Sequence, residues 1–179
     1  IPYFVAVWRA PRLKWQRWRW AIVGVAIALR AAMLPVPIEL STDVYRYCWD
    51  GKVISAGFNP YRFAPNATEL TGLRDENWAR LDHRDVPTVY PPLLMEVFRL
   101  GKQPSAFKLI FALCDLATLW FLVRLLRARG QNESLSLIWA WNPLVVLEFT
   151  GNAHAMSLAI GLFVAALWLR ETNRRILAA

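Results

Sequence analysis

The sequence predicts an all-α membrane protein, with about four transmembrane helices and one long extracytoplasmic loop that carries short interfacial helices. Hydrophobic residues make up 56% of the chain and ten residues are Trp, a combination soluble domains rarely reach. Apolar runs recur along the chain with polar stretches between them. The net charge is +8, but the cations do not form one surface; they alternate with the apolar runs, which is a topology signal and argues against a nucleic-acid partner.

Taken in order, Ile1 to Trp8 is apolar and too short to span a bilayer, as a truncated helix would be. The chain opens on Ile without an initiator Met, so a piece of something longer is expected. Residues 1–19 form a cytoplasmic basic and aromatic segment: Arg9, Arg12, Lys14, Arg17 and Arg19 are interleaved with Trp15 and Trp18, as in a headgroup anchor. Residues 20–36 are the first transmembrane helix, interrupted by Arg30. Residues 37–105 are the extracytoplasmic loop, with acids and bases in balance. Residues 106–126 are the second transmembrane helix and contain Asp115. A cytoplasmic turn follows at 127–134. Residues 135–150 form the third helix, with Asn142-Pro143 in its middle and Glu148 near its end, and residues 155–169 the fourth. Residues 170–179 are a cytoplasmic basic tail. Every flank placed inside is basic, which sets the N-terminus in the cytoplasm and the long loop outside.

Within the loop, Ser41 and Thr42 are candidate caps for a helix that holds Asp43 in its first turn. That helix ends at Gly57, and Asn59-Pro60 starts a turn. Asp43, Arg46 and Asp50 then share one face. An acid/base site for a polar group carried on a lipid and an interfacial helix with a salt bridge both fit this spacing. A short helix is expected over 70–81, and a surface-lying amphipathic turn or two over 93–100. At ~1.5 Å rise per residue, Arg30 lies roughly 10 Å and Asp115 roughly 13 Å below the outer ends of their helices. Matched depth makes them neighbours. A charge inside a span is costly and tends to be paired, as a functional or as a structural pair. Asp82-His83-Arg84-Asp85 has the residue types of a divalent-ion site; with the arginines interleaved, a solvated charge cluster is the favoured reading. Cys48 and Cys114 are expected as free thiols. Tyr90, beside Pro91-Pro92, is either a sugar-stacking ring or a belt residue. His154, in a turn, either assists at the site or is a hydrogen-bonded structural residue.

The runs STDVYRYCWDGKVISAGFNPYRFAP, VYPPLLMEVF and WNPLVVLEFTGNAH, in that order, resemble the GT-C class of integral-membrane glycosyltransferases. The closest branch looks like the bacterial polyprenyl-phosphate-mannose-dependent mannosyltransferases. Arg30, Lys108 and Asp115-Leu116 fit the same pattern. The resemblance implies a fragment of a larger GT-C fold in the plasma (inner) membrane. It implies an active site facing away from the cytoplasm, a polyprenyl-phosphate-linked sugar donor, mannose as the sugar, and a glycan or glycolipid acceptor. It maps the catalytic base onto Asp43 and gives Asp50 a supporting or substrate-binding role. Arg46, Arg30 or Lys52 would meet the leaving phosphate; Tyr90 and His154 complete the expected substrate contacts. A single inverting displacement needs one base and no cofactor. The chain departs from the pattern at Ala155-Met156, where such proteins often carry an Asn-Asp pair. A transporter component, with Arg30, Asp115 and Glu148 as its polar path, or a non-catalytic scaffold is the alternative. A transporter should repeat its polar residues in two halves, and no internal repeat is present.

Overall fold

The computed structural model describes residues 2–172. Its regular structure is helical, with no strand among the described residues. In chain order the α-helices are α1 Pro2–Arg9, α2 Trp15–Met33, α3 Asp43–Ser55, α4 Glu76–Ala79, α5 Pro92–Leu100, α6 Pro104–Ala128, α7 Leu137–Ala140, α8 Pro143–Val145 and α9 Met156–Glu171. Arg174 and Arg175 of the expected basic tail lie outside the described residues. Among the described residues one helix, α6, with 25 residues and mean hydropathy 2.1, is long and apolar enough to cross a membrane.

Several expected boundaries move. The helix expected from residue 20 begins at Trp15, because Trp15 packs into a buried cluster with Ala10, Ile22 and Leu137. The single helix expected over 70–81 is a 3-10 helix, Thr68–Leu73, followed by the one turn of α4. Asp75 separates them, in extended conformation, with its carboxylate accepting from Trp78 N. The helix expected over 135–150 is not continuous. A 3-10 turn, Glu133–Ser136, leads into α7, and α8 restarts at Pro143 and passes into a π-helical turn, Val146–Gly151. Pro143 has no N–H to give, and the residue before a proline is pushed out of helical conformation. Asn142 is extended there, and its Oδ1 accepts from Leu144 N at 2.9 Å and Val145 N at 3.5 Å, capping the new start.

The chain divides into two compact units, Ile1–Pro37 with Leu109–Ala179, and Ile38–Lys108. In the first, Trp141 donates its indole N–H to Ile22 O at 3.0 Å, and Asn132 donates to Leu13 O at 2.9 Å and Pro11 O at 3.1 Å. α6 and α9 approach closely at Gly161, where an added Cβ would fall 2.9 Å from Thr118 Oγ1. Arg30 is buried between segments. Its Nε and Nη2 each lie 2.7 Å from Asp115 Oδ2, and Nη1 donates to Ala140 O at 2.6 Å and Ala26 O at 3.1 Å. The other Asp115 oxygen accepts from Trp139 Nε1 at 2.8 Å. The neighbours expected from matched depth are therefore direct partners. The charges are tolerated because the pair and the surrounding carbonyl and indole groups satisfy one another.

The second unit is built on α3. Trp49 and Val53 pack with Leu70 and Leu81. On the α5 side, Gly51 sits against the backbone of Phe98, so close that a Cβ would lie 2.1 Å from Phe98 O. The Tyr47 ring stacks on Phe98 with centroids 4.5 Å apart, and Phe107 meets Tyr47 edge-on at 5.7 Å. Aromatic pairs of this kind add to simple burial. Both cysteines are free thiols, and burial pushes the Cys48 thiol up to about 12.

Candidate active site

A cavity of about 340 Å³ opens in the second unit, with Thr42, Asp43, Arg46, Asp82, His83 and Tyr90 in its wall. Asp43 reaches it as the first residue of α3. Ser41 and Thr42 do flank that start, but they divide the work: Ser41 Oγ accepts from Asp43 N at 3.2 Å, while the Thr42 hydroxyl turns to Asp82 Oδ2. A carboxylate in the first helical turn is also favoured by the helix dipole.

One turn later, on the same face of α3, Arg46 lines the same cavity. Its Nε donates to Asp50 Oδ1 at 3.0 Å, Nη2 to Val86 O at 2.9 Å and Nη1 to His83 O at 3.5 Å. The guanidinium thus ties the 83–86 loop to the helix. His83 holds φ at 51°, a conformation uncommon for a residue with a Cβ. Asp50 lies behind Arg46 and is buried, 1% exposed. Burial raises its carboxyl above the ordinary 3.8, while the Arg46 charge and the Thr88 hydroxyl pull it back. Tyr90 closes the other side, edge-on to Tyr47 at 5.3 Å, with its backbone carbonyl accepting from the Tyr61 hydroxyl at 2.6 Å. Its phenol is pushed up to about 12, first by burial and then by the Asp43 charge. It remains a neutral donor at physiological pH.

Of the residues expected at the site, Asp43, Arg46 and Tyr90 share this cavity, and Asp50 supports Arg46 from beneath. Arg30 and His154 belong to the other unit. Arg30 is held by Asp115 as described, and His154 Nδ1 lies 2.7 Å from Glu148 Oε2. Lys52 pairs with Asp75 at 2.8 Å and lines a different cavity. Asp82 and His83, grouped in the sequence as a charge cluster, prove to be cavity wall; the positive φ that places His83 leaves no mark in the sequence. Among the described residues no three His, Cys, Asp or Glu side chains gather into a metal-holding group. Chemically, the cavity offers a carboxylate to accept a proton, a guanidinium for an anion and a neutral phenol to orient a hydroxyl.

A sequence profile described as "Alpha-(1->6)-mannopyranosyltransferase, N-terminal domain" matches residues 3–179. The chain belongs to this mannopyranosyltransferase family. Among its relatives is "Alpha-(1->6)-mannopyranosyltransferase A" of Corynebacterium glutamicum, 28% identical over 147 residues, 75% of this chain and 29% of that protein. The protein of the same name from Mycobacterium tuberculosis is 27% identical over 157 residues, 84% of this chain and 30% of that one. "GPI mannosyltransferase 1" of Gibberella zeae is 35% identical over 95 residues, 50% of this chain and 22% of its own. This mannopyranosyltransferase-family chain thus spans less than a third of the length of these relatives. No solved structure matches it.

Proposed function

We propose that this chain carries the extracytoplasmic active-site portion of a membrane mannosyltransferase, which moves mannose from a polyprenyl-phosphate donor to a hydroxyl of a glycan or glycolipid acceptor. The observation that carries the reading is the cavity of the 38–108 unit, whose lining brings together a helix-initial carboxylate, Asp43, a guanidinium, Arg46, and a neutral phenol, Tyr90. Membership of a mannopyranosyltransferase family supports the sugar.

In the proposed step, Asp43 takes the proton of the acceptor hydroxyl as its oxygen bonds to the anomeric carbon. The bond from that carbon to the phosphate oxygen breaks, and the lipid phosphate leaves as an anion. Arg46, held by Asp50 and two loop carbonyls, is pre-positioned to meet the developing negative charge. Tyr90 donates a hydrogen bond to a sugar or acceptor oxygen. One displacement inverts the anomeric centre, and no cofactor enters. In the same reading the chain crosses the inner membrane at 20–36, 106–126, 135–150 and 155–169 with its N-terminus in the cytoplasm. The basic flanks support that orientation. Backbone breaks inside the third crossing are tolerated where neighbouring protein satisfies the freed groups.

The test is mannose transfer from polyprenyl-phosphate mannose in membranes carrying the full-length protein. Asp43→Asn should lower turnover by about 10²–10⁴-fold with donor binding retained. Unchanged transfer in that variant overturns the assignment.

A further inference from the structure

The 38–108 unit has a second cavity, of about 270 Å³, on the opposite face of α3 from Asp43. Cys48, Gly51, Lys52 and Ser55 turn that face to it, and Arg99, Gly101 and Lys102, at the end of α5 and just beyond, close it. Three of its lining residues are cations, Lys52, Arg99 and Lys102; among those lining residues the one carboxylate is Asp75. Lys52 reaches Asp75 at 2.8 Å and Arg99 reaches Glu96 at 3.0 Å, but both pairs are well exposed. Exposed pairs of this kind hold their partners weakly, so the cations can be shared with an arriving anion.

The second observation is the surface next to that opening. α5 buries Met95 and Phe98 and turns Leu93 and Leu100 outward, with Val97, half-buried, between them at helical spacing. Leu93 is 56% and Leu100 76% exposed. Leu100 adjoins Arg99 directly. An apolar stripe ending in a cationic cavity matches a molecule whose anionic head is joined to a hydrocarbon tail.

We propose that this cavity binds the phosphate of an anionic phospholipid. Arg99, Lys102 and Lys52 surround the phosphate oxygens, and Leu93, Val97 and Leu100 lie against the acyl region. The site is separate from the Asp43 cavity. It rests on α5 lying at a membrane surface and does not depend on the transfer reaction, so it can fail while the transfer assignment stands, and the reverse.

The experiment is native mass spectrometry of the full-length protein in detergent, titrated with phosphatidylglycerol or phosphatidylcholine. Phosphatidylglycerol should be retained over phosphatidylcholine, and the double variant R99Q/K102Q should bind it roughly 30-fold more weakly. R99K/K102R, which keeps both charges, should retain it; this pair and circular dichroism separate lost binding from lost folding. Equal retention of the two lipids, or wild-type retention in R99Q/K102Q, overturns the proposal. Displacement of the lipid by millimolar inorganic phosphate also overturns it, since the cavity would then be a site for the free anion.

Discussion

The Arg30 guanidinium and the Asp115 carboxylate form a buried ion pair, with Nε to Oδ2 at 2.7 Å and side chains only 2% and 0% exposed. It joins α2 to α6. Through Ala140 O and Trp139 Nε1 it also holds the segment where the chain leaves helical conformation. A charge in such a place is secured by its partner, so the two residues stand or fall together.

Removing one partner strands the other. Asp115→Leu or Arg30→Met alone should destabilise the protein by about 3–5 kcal/mol. The double variant R30M/D115L should be less damaging than the two singles added, because neither charge is left uncompensated. Unfolding midpoints of the four proteins in one detergent give the coupling. Strict additivity would show that the pair does not act as a unit.

Gly51 is where α3 touches the backbone of α5. Gly51→Ala should destabilise by about 1–3 kcal/mol, since the methyl has nowhere to go and the obstacle is backbone. Gly72→Ala, where nothing lies within 4 Å, is the matched control and should leave the unfolding midpoint nearly unchanged.

Asp50 gives stability a dependence on pH. Burial raises its folded-state pKa above 3.8, against the opposing pull of Arg46. The folded chain then keeps that proton to higher pH than the unfolded chain. The stabilisation from this group is fully present below the unfolded value and is lost as pH rises through the raised one. In an unfolding series from about pH 4 to 7, wild type should lose stability relative to Asp50→Asn as pH increases. A difference that stays flat across the series would remove Asp50 as the cause.

Arg46 is expected to act through geometry as well as charge. Arg46→Lys keeps the charge but cannot reach Asp50, Val86 O and His83 O from one planar group. In the transfer assay its donor KM should rise by about tenfold, the equivalent of one lost charge-assisted hydrogen bond. Wild-type KM in this variant would mean that the 83–86 loop needs no such tie.

Much of this was legible along the chain. The helix start at Asp43, the shared face of Asp43, Arg46 and Asp50, the stop after α3 and the meeting of Arg30 with Asp115 follow from local spacing and depth, but Thr42, expected as a cap, gives its hydroxyl to Asp82 instead. The broken segment at 141–151 was less so. Its apolar run reads as one helix, and the deciding contacts, Trp141 to Ile22 O and Asn142 to its own downstream N–H groups, lie outside what periodicity measures. Asp82 was visible only as a charge; its partner Thr42 is forty residues away.

The order of residues alone settled that the chain is helical and apolar, and that its charged stretches alternate with the apolar runs. These are short-range properties, set by propensity, capping and periodicity. Folding in three dimensions decided which of those groups share a space. Asp43, Arg46 and Tyr90 came to one cavity with Asp82 and His83, while Lys52 was drawn into a second cavity with Arg99 and Lys102. Long-range partnership depends on packing geometry between segments, which no local window of sequence contains.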